Sequence, residues 1–231
     1  MSEEKEIQSP TRFIKGRTEI KILLLGDSST GKTSFSNLWI NNKFNEEPKP
    51  TIIPEFSFKM YNYKGNNYKV QIWDLGGQDK SIYTTKVFSK GAHGCFILYD
   101  AQNQKSFENT IKWKQSIDEN SKFVDGTPIP IILIQNKIDL VDPQNLEIDE
   151  ENLKQFINEN GFLSFVRTSC KNRINVNEAM DYLLSHVIDK LEEYHKINNI
   201  PFGDNQRTSI VMKNSSISNE SILGNKNTFC C

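Results

Sequence analysis

The chain has 231 residues, 36% of them apolar, 25% charged and 10% aromatic; this is about one and a half typical domain lengths, so one domain plus an appendage is expected. Lys and Arg number 28 against 29 Asp and Glu, and the resulting net charge of -1 removes the electrostatic case for a nucleic-acid binder. A mean hydropathy of -0.56 is low for a compact domain and calls for a polar segment somewhere in the chain. No apolar run approaches the roughly 20 residues that cross a bilayer. The start, MSEEKEIQSP, is acidic and polar where a signal peptide is basic and then apolar, so a cytosolic chain is expected. Ser2 stands where N-myristoylation needs a glycine, so that anchor is not expected.

In chain order, residues 1–17 carry Glu3, Glu4, Lys5, Glu6, Pro10, Arg12, Lys15 and Arg17 with little apolar pattern and read as a flexible arm. The domain is expected over residues 18–197. IKILLLG at 20–26 reads as a first strand, followed by a helix from Gly31 to about Asn41. EFSFKMYNY and YKVQIWD flank a turn at Lys64 to Asn67 and read as a hairpin. Next come a strand GCFILYD at 94–100 and a helix from about Gln104 to Asn120, with Phe107, Ile111, Lys114 and Ile117 at helical spacing. A strand IPIILIQN follows at 129–136, then a helix near 149–160, a strand LSFVRTS at 163–169 and a last helix from about Asn175 to Lys196. The unbroken Ile, Leu and Val runs match strands covered on both faces. The fold class is therefore α/β, a six-stranded mostly parallel sheet flanked by helices, with EFSFKMY as the antiparallel edge. No internal repeat is visible. Residues 198–231 turn to Asn, Ser, Thr and Lys and cannot bury enough surface to order. As a flexible coil this disordered tail reaches roughly 30 Å, with Phe229, Cys230 and Cys231 at its tip.

Directly after the first strand comes Gly26 Asp27 Ser28 Ser29 Thr30 Gly31 Lys32 Thr33, with Ser34 next, matching G-x-x-x-x-G-K-[ST] between a strand and a helix. Backbone N–H groups and the positive helix end suit a polyphosphate, Lys32 brings a mobile charge, and Thr33 offers a hydroxyl to Mg²⁺. Asn136 Lys137 Ile138 Asp139 ends a buried strand. A carboxylate at Asp139 accepts from guanine N1–H and the exocyclic amine, a donor pair adenine lacks, while Asn136 reaches the base N7 and holds the neighbouring loop. Thr168 Ser169 Cys170 Lys171 follows the next strand, where a Cys170 backbone N–H meets the base O6 and the Lys137 and Lys171 stems sandwich the ring. Trp73 Asp74 Leu75 Gly76 Gly77 Gln78 Asp79 places Asp74 as a water-mediated Mg²⁺ carboxylate. Gly77 provides an N–H for the terminal phosphate, and Gln78 the donor and acceptor that orient an attacking water.

With these motifs in order, the chain from about Glu19 to Lys196 resembles the Ras superfamily of small GTPases, specifically the Rab family. The resemblance implies GTP and GDP as ligands and Mg²⁺ as cofactor. It adds Thr51, eighteen residues after Thr33, as a further Mg²⁺ ligand, Phe44 against the base edge, and Phe56, Trp73 and Phe88 as an aromatic effector surface. GTPIP and NENGF are similar to the subgroup serving lysosome-related organelles and phagosomes. Departures are Ile53 and Pro54 where Rab proteins read Gly-Val, Leu75 and Gly76 where they read Thr-Ala, and Ser28 and Ser29 in the loop; they imply slow hydrolysis and an unusual effector choice.

Cys95 and Cys170 fall in apolar surroundings and read as reduced packing residues. Cys230 and Cys231 have nothing to pack against, and the resemblance implies double geranylgeranylation, two chains being what stable anchoring needs. Arg207, Lys213 and Lys226 are widely spaced, so lipid rather than charge carries the affinity. The resemblance further implies an exchange factor, a GTPase-activating protein, a GDP dissociation inhibitor that masks the prenyl chains, and effectors. It places a monomeric protein on the cytoplasmic face of endosomal, lysosome-related or phagosomal membranes, with a cytosolic pool. The expected function is a GTP-hydrolysing switch of vesicle traffic; the alternative is a weakly hydrolysing, GTP-bound membrane adaptor. A P-loop kinase would leave NKID and TSCK without a use.

Overall fold

A computed structural model describes residues 18–47, 50, 51, 53–76, 81–142 and 150–200, with the backbone alone at 81–84 and 150. The arm at 1–17, Gly77, Gln78 and the tail from 201 with Cys230 and Cys231 lie outside the described residues.

Six strands form one sheet in the order β2-β3-β1-β4-β5-β6. They are β1 Glu19–Leu25, β2 Glu55–Tyr63, β3 Asn66–Asp74, β4 Gly94–Asp100, β5 Ile131–Asn136 and β6 Ser164–Arg167. All pairings are parallel except β2 with β3, so EFSFKMY is the antiparallel edge, as expected. The runs Ile22 to Leu25, Cys95 to Leu98 and Ile131 to Ile134 are buried, the pattern of strands covered on both faces. Parallel register lines up the carboxyl ends, with Leu24 beside Asp74 and Asp100 beside Asn136. In such sheets this edge is where ligands bind.

The hairpin turn is shorter than the expected Lys64 to Asn67. Tyr63 pairs with Asn66, and Lys64 and Gly65, both with positive φ, form a two-residue turn whose twist matches the strands. Helices α1 Lys32–Asn41, α5 Glu150–Glu159 and α6 Val176–Ile197 fall close to their expected places, whereas α2 Ser81–Phe88 has no counterpart in the sequence analysis. α6 buries Val176, Ala179, Met180, Leu183, Leu184, Val187, Ile188 and Leu191, a stripe at helical spacing. The hairpin is tied to α6 where Tyr63 Oη and Lys64 Nζ donate to Asp189 and Tyr68 Oη donates to Glu192.

One expected helix is two. The 104–120 segment divides into α3 Gln104–Glu108 and α4 Thr110–Asn120. At the junction the Thr110 hydroxyl donates to the Phe107 carbonyl at 2.6 Å, a local bond that competes with the helix ladder. The Asn109 side chain is turned away to a distant partner, Asp27. Cys95 and Cys170 are free and buried, as expected; burial pushes both thiols up, Cys170 to about 12. No helix among the described residues is long and apolar enough to cross a membrane.

Candidate functional site

The loop after β1 is shaped by two glycines. Gly26 has φ +130°, and a Cβ there would meet the Leu98 carbonyl oxygen at 2.0 Å; Gly31 has φ +95°, and its Cβ would meet Asn136 Nδ2 at 2.2 Å. Left-handed backbone and close approach both demand glycine. Gly31 is the N-cap of α1, with no side-chain cap and no acidic residue in the first turn, so the first N–H groups and the positive helix end face the loop. Ser28, Ser29, Gly31, Lys32, Thr33 and Ser34 line a cleft of about 510 Å³. Gly26 and Thr30 shape the loop from behind it, Thr30 donating its hydroxyl to the Asp27 carbonyl at 3.0 Å. Lys32 is 5% exposed, its Nζ on the carbonyls of Gly26 at 3.0 Å and Asp27 at 2.7 Å. Burial pushes its pKa down to about 8, and the charges of Asp74 and Asp27 offset part of that.

Asp74, at the end of β3, is 3% exposed. The Thr33 hydroxyl donates to Asp74 Oδ2, and Thr33 Oγ1 lies 2.6 Å from Thr51 Oγ1. Three oxygens from three separate segments therefore meet where α1 begins. The Gly76 N–H donates to Asp74 Oδ1 at 3.3 Å and orients that carboxylate.

At the far end of the cleft, Asn136 is 1% exposed and works as a staple. Its Nδ2 donates to the Thr30 carbonyl at 2.9 Å, and its Oδ1 accepts from Thr168 Oγ1 at 3.0 Å and Cys170 Sγ at 3.5 Å. One amide thus joins all three loops. Lys137 adopts φ +64°, and its Nζ pairs with Asp100 Oδ2 at 2.7 Å. Asp139 sits in a short 3-10 turn, Ile138–Leu140, and accepts from the Ser169 hydroxyl at 2.5 Å. Ser169 is fully buried; it orients Asp139 rather than lining the cleft. Phe44, Asn136, Lys137, Asp139, Cys170 and Lys171 all line the cleft, as do Thr51 and Gly76.

Sequence reasoning missed several groups. Thr168 closes the Asn136 staple, and Asp100, beside Asn136 in the parallel register, holds Lys137; its place at the end of a buried strand was the available signal. The Asp27 side chain bonds Asn109 and Trp113, and no local signal marks that. Phe56, Trp73 and Phe88 do meet: ring centroids lie 5.1 Å apart for the first pair and 5.7 Å for the second. Lys21 Nζ sits 4.6 Å from the Trp73 ring centroid. Phe56 is 49% exposed, with Ile53, Phe58 and Val87 also exposed, while Trp73 and Phe88 are partly buried and pack against the core, so the cluster runs from the edge of the core to the surface.

A strand-loop-helix phosphate cradle facing an N-K-x-D turn, on this sheet order, defines the P-loop α/β fold of small GTPases. The Ras family matches residues 21–189, and the chain belongs to that family, in its Rab branch. It is 30% identical over 174 residues to Ras-related protein Rab-7L1 of Rattus norvegicus, covering 75% of this chain and 84% of that protein. Against Ras-related protein RABG3f of Arabidopsis thaliana it is 33% identical, covering 77% and 86%. Against Ras-related protein Rab-32A of Dictyostelium discoideum it is 33% identical, covering 73% and 77%.

Proposed function

We propose that this chain is a GTP-binding and GTP-hydrolysing switch that regulates vesicle and membrane traffic. The observation that carries the reading is the convergence on one cleft of the phosphate loop, the Thr33, Thr51 and Asp74 oxygens, and the Asp139 carboxylate. Polyphosphate fits the uncapped end of α1 and Lys32; guanine fits Asp139, with Phe44 and the Lys137 and Lys171 stems around it. Mg²⁺ fits the oxygen set. Among the described residues no three His, Cys, Asp or Glu side chains cluster to hold a metal, whereas two hydroxyls and one carboxylate suit an octahedral ion that takes its other oxygens from phosphate and water. When bound, Mg²⁺ offsets charge on the phosphate oxygens. Thr33 and Thr51 would hold it, with Asp74 acting through water, while Gly77 would present an N–H to the terminal phosphate and Gln78 would orient the attacking water.

Intrinsic turnover is slow, and an activating protein's arginine speeds it by about 10³ to 10⁵. In the GTP state the Thr51 and Gln78 segments are ordered and the Phe56, Trp73 and Phe88 face binds effectors. Residues 1–17 and 198–231 flank a GTPase domain at 18–197, and prenyl groups on Cys230 and Cys231 hold the monomer to the cytoplasmic face of endosomal, lysosome-related or phagosomal membranes. An exchange factor loads it and a GDP dissociation inhibitor keeps a cytosolic pool.

Single-turnover hydrolysis by the GTP-loaded protein, beside Gln78→Leu and with Mg²⁺ present and then chelated, tests this. Slow GDP formation by the wild type, much slower formation by the variant, and dependence on Mg²⁺ are expected. Equal, negligible rates that an activating protein does not raise would favour the GTP-bound adaptor instead.

A further inference from the structure

A carboxylate inside a polyphosphate-binding loop is unfavourable unless it is turned away and satisfied, because its charge repels the ligand. Asp27 is the second residue of that loop, and its side chain is absent from the cleft lining. Both of its oxygens are taken from behind: Asn109 Nδ2 donates to Oδ2 at 2.7 Å and Trp113 Nε1 donates to Oδ1 at 2.9 Å. Trp113 is 3% exposed and fixed in α4. Asn109 stands at the α3–α4 junction, so the helix break described above is the far end of this link. The Asp27 backbone carbonyl, meanwhile, receives both Lys32 Nζ and the Thr30 hydroxyl. One residue therefore joins the lysine's resting place to a helix outside the cleft. The other end of α4 is tied to the end of α2, where the Ser121 hydroxyl donates to the Ser89 carbonyl at 2.9 Å.

We infer that Asp27 is a positioning residue for the phosphate loop, and that its anchorage to Asn109 and Trp113 sets how long the protein retains bound nucleotide. The inference rests on the guanine-nucleotide reading above. Hydrogen bonds to a charged group are about twice as strong as neutral ones, so two of them hold the loop carbonyl in register with Lys32. A loop freed from this anchor samples arrangements in which its N–H groups no longer converge, and nucleotide leaves sooner.

The test is release of a fluorescent GDP analogue, chased with excess GDP, from the full chain carrying Mg²⁺. Trp113→Phe removes the indole N–H and keeps an aromatic ring; release about three- to tenfold faster than wild type is expected. Asp27→Ala is expected to release at least as fast. Adding Trp113→Phe to Asp27→Ala is expected to change the rate by less than about twofold, because the indole acts through the carboxylate. Asp27→Asn is the rescue. Asn109 Oδ1 is buried without a partner among the described residues, so turning that amide lets it accept from the new amide nitrogen, and release stays within about threefold of wild type. A purely structural role would lower melting temperatures without this dependence of one variant on the other. If Asp27→Ala does not fold, Asn109→Ala and Trp113→Phe carry the test, each expected to speed release alone. Wild-type release rates in Trp113→Phe and Asn109→Ala, or independent multiplication of the Asp27→Ala and Trp113→Phe effects, would overturn the positioning role while leaving nucleotide binding intact. A wild-type protein that holds no guanine nucleotide would overturn both readings.

Discussion

Asp139 is held from one side by the Ser169 hydroxyl, which is fixed in turn by the Asn172 N–H at 3.0 Å. On the proposed reading the carboxylate is presented to a base in one orientation, where a guanine would offer it two donors at once. Each such bond to a charged group is worth roughly 1.5 to 3 kcal/mol, so losing the match costs about two orders of magnitude or more in affinity. Asp139→Asn is expected to weaken GTP binding by about 100-fold or more, since the new amide nitrogen faces the guanine amine, donor against donor. Xanthosine triphosphate carries a carbonyl in place of that amine and is expected to bind the variant better than GTP does. Competition against a fluorescent guanine nucleotide measures both arms. Unchanged GTP affinity in Asp139→Asn would remove the carboxylate from base recognition.

At the scale of elements, what was legible in the sequence is what lies within one short window. Gly26 to Thr33 follows β1 directly and Asn136 to Asp139 starts on the last residue of β5, so a local pattern carries both the turn and its chemistry. The links that fix these loops span the chain: Asp27 to Asn109 and Trp113 crosses 82 and 86 residues, and Lys137 to Asp100 crosses 37. Helical spacing through 104–120 reads as one helix because nothing in that window announces that Asn109 has a partner in the first loop. The Phe56, Trp73 and Phe88 cluster needed the hairpin register, which pairs Phe56 with Trp73, before its exposure could be judged. His93, in the turn between α2 and β4, is a further case. The ring Nδ1 accepts the Lys21 backbone N–H at 3.0 Å, and the His93 backbone N–H donates to the Lys21 carbonyl at 2.8 Å. Burial, aided by the Lys21 charge, lowers its pKa from 6.5 to about 4. Between those values the unfolded chain binds more protons than the folded one, so this contribution is fully present above about pH 6.5 and is lost as pH falls towards 4. With allowance for partial exposure the loss is about 2 kcal/mol. In His93→Asn the amide oxygen can still accept from Lys21 but does not titrate. Its stability in urea is expected to fall less than wild type's between pH 6.5 and 4; parallel losses in both proteins would sink the assignment.

For the whole molecule, no helix among the described residues is long and apolar enough to cross a membrane, and the net charge of -1 supplies no overall attraction to an anionic leaflet. The last helix, α6, ends at Ile197, and the sequence beyond it places Arg207, Lys213 and Lys226 too far apart to act as a basic patch. On the proposed reading, attachment is the work of prenyl groups on Cys230 and Cys231. A buried methylene contributes about 0.8 kcal/mol, and a single acyl chain of moderate length binds reversibly, at about 10⁴ M⁻¹, so a second chain makes the difference between visiting a membrane and staying on it. Three variants separate these cases when the full chain is incubated with a prenylating extract and floated with neutral phosphatidylcholine vesicles. Wild type is expected to float and to resist release by about 1 M salt, at which surface charge interactions are screened within roughly 3 Å. Cys230→Ser or Cys231→Ser alone is expected to float partly and wash off on dilution, and the double variant to stay in the soluble fraction with its nucleotide binding unchanged. Flotation of the double variant equal to wild type would mean that a surface of the folded domain, with its exposed Ile53, Phe56, Phe58 and Val87, supplies the membrane contact, and that the cysteine pair does not.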